Sequence, residues 1–143
     1  MDKDYLEINL HTVNDKVKFA SSSRNNPEVV IDYFPPIGSG EGVTSLELLM
    51  MSFASCISTA VLTILRTFMH KTVVSLKANA VGIVKAEHPK ALSQLQLKLV
   101  FESPDLEEAD VQKAIASAEE KLCPVWAMLK GNVEIDVSFT IER

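Results

Sequence analysis

The sequence has 143 residues, 47% apolar and 23% charged, a composition that excludes a disordered chain and suits one domain with a real core. A net charge of −5 argues against nucleic acid or an anionic membrane surface as the partner. The opening, MDKDYLEINL, is charged and has no apolar segment of the signal-peptide kind, so a cytoplasmic protein is expected, read as a single domain over residues 1–143.

Residues 5–13 alternate, with Leu6, Ile8 and Leu10 on one face and Glu7, Asn9 and His11 on the other, which predicts a strand. Asn14-Asp15 is a turn signal, and Val17 and Phe19 begin a second strand. The polar stretch SSSRNNP, residues 21–27, is a loop, and residues 29–33 form a third strand stopped by Pro35-Pro36. IGSGEGVT, residues 37–44, carries three glycines but matches neither phosphate-binding pattern, so it is read as a flexible lead-in to a helix.

Residues 48–65 contain no charge. Thr44 or Ser45 is the N-cap; with Thr44 as the cap, Glu47 three residues on resembles a capping box, and the helix is expected to run to about Met69. The uncharged run sits at the lower edge of what spans a membrane, but it carries Ser52, Ser55, Ser58, Thr59 and Thr63. It is therefore read as a central helix, buried all round, rather than a membrane anchor.

Residues 73–84 and 92–101 alternate as two strands joined by the polar turn KAEHPK, a hairpin. Ser103-Pro104-Asp105 predicts the start of a second helix, with Val111, Ile115, Ala118 and Leu122 as its apolar stripe. Pro124 breaks it, a short turn over residues 125–129 follows, and Gly131 closes that turn. Residues 133–141 alternate cleanly as a last strand. The order is β-β-β-α-β-β-α-β and mostly antiparallel, an α+β fold.

Cysteine carries the candidate chemistry. Cys56 lies on the apolar helix and, by position alone, is most simply a small buried hydrophobe. Cys123 stands just before Pro124; as the cap of the following turn, its sulfur would face unpaired N–H groups that favour thiolate. His11, His70 and His88 fall in a strand, a helix end and a turn, with no metal-ligand spacing, so no metal is expected. Trp126, after Cys-Pro-Val, is either core or the wall of a pocket.

SLELLMMSFASCISTAVLTIL resembles the central-helix motif of the OsmC/Ohr family, the osmotically inducible and organic-hydroperoxide-resistance proteins, and KLCPVW resembles the family's second, Cys-Pro-Val motif. The resemblance extends over nearly the whole chain, strand order included. It implies a thiol peroxidase without a cofactor, built as an intertwined homodimer, that reduces organic hydroperoxides. Cys56 matches the family's peroxidatic cysteine and Cys123 its resolving cysteine, with an external dithiol as reductant. Glu47 matches the glutamate of one subgroup. The family's activating arginine would be Arg24, the one arginine that precedes Cys56; Arg66 is read as a solvated charge at the helix end. The other readings are an OsmC-fold redox sensor or a small apolar-ligand binder.

Overall fold

The computed structural model describes residues 5–143, so the charged start of the chain, residues 1–4, lies outside the described residues. Contacts divide the chain into two compact units, with the boundary between Leu48 and Leu49.

The N-terminal unit holds an antiparallel sheet of three short strands in the order β1 (Asn9–Thr12), β2 (Phe19–Ser22) and β3 (Val29–Ile31). The first hairpin closes on Asn14, whose side-chain oxygen accepts the N–H groups of Lys16 and Lys18 at 2.9 and 3.2 Å. The strands are shorter than the alternation predicts. Before Asn9 the ladder gives way to a side-chain bond, Ser23 Oγ donating to the Glu7 carbonyl at 3.1 Å. Leu6, Ile8 and, within β1, Leu10 are exposed, Leu6 by 85%. Arg24 makes the turn from β2 to β3 in left-handed backbone, at φ 58.

β3 ends at Ile31, two residues early, because the next side chain captures the loop. The buried Asp32 carboxylate accepts N–H groups from Tyr33, Ser39 and Glu41 at 2.7, 3.3 and 3.1 Å. Burial opposes its ionisation, but these bonds hold its carboxyl below the ordinary carboxylate value. The glycine-rich stretch is thus pinned rather than flexible. A side chain at Gly38 would run into the Tyr33 carbonyl and the Asp32 carboxylate, so glycine is required at this close approach.

Helix α1 spans Ser45–Thr63 and continues as a π-helical turn, Ile64–Phe68. The expected capping box is present: Glu47 N–H donates to Thr44 Oγ1 at 3.2 Å, and Thr44 N–H donates to Glu47 Oε1 at 2.9 Å. At the other end His70 adopts the left-handed conformation that stops a helix, φ 56, and Lys71 N–H returns to the Leu65 carbonyl at 2.9 Å. Arg66 is exposed and donates to the Val73 carbonyl at 2.8 Å, tying down the chain that leaves the helix.

Burial on α1 is one-sided, and this corrects the expectation of a helix buried all round. Phe53, Ile57, Val61, Ile64 and Leu65 form the buried stripe, at spacings of four, four, three and one. Ser55, Thr59 and Thr63 line an exposed face. Their hydroxyls donate to carbonyls a turn back, those of Ser52, Ser55 and Thr59, at 3.1, 2.8 and 2.7 Å. By length and composition, 45–68 is long and apolar enough to cross a membrane, but its apolar stripe is spent on core packing.

The sheet of the C-terminal unit has the order β4 (Ser75–Val84), β5 (Leu92–Glu102), β6 (Glu134–Glu142). β4 and β5 are the antiparallel hairpin read from the sequence. β6 instead runs parallel to β5, which is possible because the intervening helices provide the crossover that parallel pairing needs. Register stacks Leu76, Phe101 and Ile141, then Ala78, Leu99 and Phe139, then Ala80, Leu97 and Val137, on one face. Gly82 lets α1 lie close to β4: a Cβ there would stand 2.7 Å from Leu92 Cδ2 and 2.9 Å from Met50 Sδ.

Helix α2 covers Glu108–Ser117 and begins five residues later than predicted. Ser103 explains the delay. Buried, it accepts the N–H groups of Asp105 and Leu106 at 3.2 and 3.1 Å and donates to the Thr72 carbonyl, so the proline turn closes on a side chain instead of opening a helix. The cap falls at Glu107, whose N–H donates to Asp110 Oδ2 at 2.9 Å. Ser103→Ala would strand those two N–H groups and the Thr72 carbonyl. A loss of about 2 kcal/mol in unfolding free energy is expected, measured by urea denaturation.

Candidate functional site

The site is made where α2 ends. A second π-helical turn, Ala118–Leu122, follows α2, and a short helix α3, Pro124–Leu129, follows that. In α-helical register Ala118 would be succeeded on the buried stripe by Leu122, as the sequence suggests. The π-turn inserts one residue: Cys123 N–H bonds back to the Ala118 carbonyl, five residues earlier, at 2.9 Å. Leu122 is consequently 49% exposed, a correction to the predicted stripe, and Cys123 turns inward at 2% exposure.

Cys123 is also the N-cap of α3, with Pro124 in the first turn, as the sequence indicates. Its sulfur accepts the Trp126 N–H at 3.4 Å. Capping alone would favour thiolate, but here burial prevails and pushes the Cys123 thiol up to about 11; the Trp126 N–H opposes this, and neighbouring Cys56 reinforces it. The expectation of a thiolate-favouring cap is corrected in sign for that reason.

Cys56 comes from the middle of α1 and is half-buried, less enclosed than the apolar run suggests. It neighbours Cys123 closely enough to raise that thiol's pKa, and both thiols are free. Two residues distant in sequence therefore form an adjacent dithiol, the outer one accessible and the inner one buried.

Glu47 stands nine residues before Cys56 on α1, two and a half turns, so the two side chains leave the helix on opposite faces. Its carboxyl is held below the ordinary value by the Thr44 N–H and then by the Thr44 hydroxyl. The stability this gives is present above a pH of about 4.5 and lost as pH falls through the lowered folded value. Arg24 is exposed on the β2–β3 turn, beside a surface groove shared with Tyr5, Leu6, Glu7, Asn9 and Ser23. His11, His70 and His88 are all exposed, and among the described residues no three His, Cys, Asp or Glu side chains gather as metal ligands.

Sequence reasoning missed one pairing. Phe53, a turn before Cys56, meets Trp126 edge to face, with ring centroids 5.7 Å apart and planes at 90°. The three-residue spacing Phe53–Cys56 and Cys123–Trp126 was the available signal.

An α+β chain with a one-sided apolar helix, two three-stranded sheets and a dithiol spanning that helix and a Cys-Pro turn has a defined class. The model of the OsmC-like protein family matches residues 38–138, and the chain belongs to that family. The match includes both cysteines and Glu47; Arg24 lies outside it. Among solved structures, a hypothetical protein from Aquifex aeolicus VF5 is 25% identical, with a TM-score of 0.83 and 96% of each chain covered. An OsmC like protein from Mycoplasma pneumoniae is 20% identical, with a TM-score of 0.83 over 100% of both chains. An organic hydroperoxide resistance protein OsmC from Legionella pneumophila is 15% identical, with a TM-score of 0.70 over 98% of this chain and 99% of that one. None of the curated proteins matches the sequence.

Proposed function

We propose that the protein is a thiol-dependent peroxidase that reduces organic hydroperoxides, with Cys56 as the peroxidatic and Cys123 as the resolving cysteine. The adjacent pair, one thiol accessible and one buried, is the observation that carries this reading. The Cys56 thiolate attacks the distal peroxide oxygen; the O–O bond breaks, and the alkoxide leaves and takes a proton as the alcohol. Cys56 is then a sulfenic acid. The Cys123 thiolate attacks its sulfur, the S–O bond breaks, and hydroxide leaves as water, giving a Cys56–Cys123 disulfide. An external dithiol returns the pair to thiols by exchange.

In this reading the working form is a homodimer in the cytoplasm, with Arg24 and Glu47 assisting the thiol chemistry. The exposed Leu6, Ile8 and Leu10 and the open hydroxyl face of α1 support a second copy as their cover. Glu47 already serves the capping box, and glutamine can close the same box. Glu47→Gln is therefore expected to keep the melting temperature while Glu47→Ala lowers it, and a fall in turnover for Glu47→Gln alone would assign the charge a chemical task.

Mass spectrometry after one equivalent of an organic hydroperoxide should find the Cys56–Cys123 disulfide; two free thiols under that treatment would end the proposal. The redox-sensor reading draws support from the buried, high-pKa Cys123, which slows resolution. Turnover separates the two: a sensor closes its disulfide once and consumes no further peroxide in the presence of dithiol.

A further inference from the structure

We infer that Phe53 and Trp126 are a positioning pair for the dithiol, holding Cys123 against Cys56 through their edge-to-face contact; this rests on the dithiol reading above. Four observations carry it. Phe53 and Cys56 stand three residues apart on α1 and so share a face of the helix. Cys123 and Trp126 stand three residues apart across the first turn of α3. Their rings meet at 5.7 Å and 90°, with Phe53 fully buried and Trp126 5% exposed. The Trp126 N–H donates to Cys123 Sγ at 3.4 Å, so the residue that grips α1 by its ring also orients the inner sulfur by its backbone.

The pairing answers a mechanical need. α3 is only six residues long and follows a π-turn, so little within it fixes its rotation. An aromatic contact next to the sulfurs supplies that constraint. It sets the distance between the two backbones, and hence how often the thiols are within bonding reach. That frequency is the effective concentration of one sulfur at the other. The ring acts through Cys123 and touches no substrate; its role is in positioning.

The test separates the ring from the backbone cap, because every variant at 126 except proline keeps the N–H. In a glutathione redox buffer, the dithiol–disulfide equilibrium of the purified protein gives the effective concentration of the pair directly. Trp126→Leu, which keeps apolar bulk but no ring, should lower it about tenfold, and Trp126→Phe, which restores a ring, should stay within about twofold of the parent. Phe53→Leu should match Trp126→Leu from the opposite side, and decides the matter if Trp126→Leu does not fold. Trp126 is the one tryptophan in the chain, so its emission should change when the parent disulfide closes and stay constant in Cys56→Ser under the same buffer.

Equal effective concentrations in the parent, Trp126→Leu and Phe53→Leu would overturn the inference, as would a Trp126→Phe variant no better than Trp126→Leu. The glutathione measurement needs no hydroperoxide. A pair that responds to the ring in glutathione but never turns over peroxide removes the peroxidase reading and leaves the positioning pair standing.

Discussion

Cys56→Ser is expected to remove hydroperoxide turnover, leaving less than about 1% of the parent rate, because a serine hydroxyl is not ionised near neutral pH and cannot take up peroxide oxygen as sulfur does. The outer thiol is the one a substrate can reach, since Cys123 is 2% exposed. Cys123→Ser should behave differently. It should complete one reduction per chain and then stall, with the Cys56 sulfenic acid trapped by a dione reagent and visible as a mass adduct. Coupled peroxide consumption with an external dithiol measures both variants. Parent-like turnover in Cys56→Ser would remove the mechanism, and full multiple turnover in Cys123→Ser would remove the resolving role alone.

The second large effect is on pH. With its thiol pushed up to about 11 from 9.0, Cys123 has about one part in 10⁴ as thiolate at pH 7. Only the thiolate attacks the sulfenic sulfur. Disulfide closure after a pulse of hydroperoxide should therefore accelerate about tenfold for each pH unit between 7 and 10, and level off as pH nears 11. Stopped-flow tryptophan emission or acid quench with mass analysis follows the step. A closure rate flat across that range would show that Cys123 does not deliver the attacking sulfur from its buried position. Stability follows the same proton with a definite sign. The thiol holds its proton more tightly folded than unfolded, so its contribution is full below about 9 and lost as pH rises through about 11. Cys123→Ser should lessen the fall in melting temperature over that interval.

The alternating runs named most of the strands without help. Residues 74–80, 95–101 and 133–141 place one apolar side chain at every second position, and a strand's two-residue period leaves them one solution. Thr44 and Glu47 set the start of α1 by a local hydrogen-bond exchange that needs no tertiary partner. Cys123-Pro124 marked a helix start for the same reason: a cap acceptor followed by a residue that has no N–H to lose. Both cysteines were singled out as candidates from residues and motifs alone, and the fold makes them neighbours.

What lay beyond the sequence are features decided by packing. No residue pattern announces the π-turn at Ala118–Leu122, because one extra residue in a helix is a compromise between the stripe before it and the stripe after it. That turn exchanges Leu122 for Cys123 on the buried side, and with it a thiol enters the core. The sign of the Cys123 shift is likewise a tertiary matter. Capping is local and favours thiolate, while burial depends on tertiary packing that also seats Phe53 of the distant α1 against Trp126, and burial wins. The sequence by itself determined most of the elements and put one thiol on α1 and the other at the cap of α3. The tertiary structure decided which sulfur stays partly open and which is enclosed, because periodicity is a property of neighbours in the chain and enclosure is a property of neighbours in space.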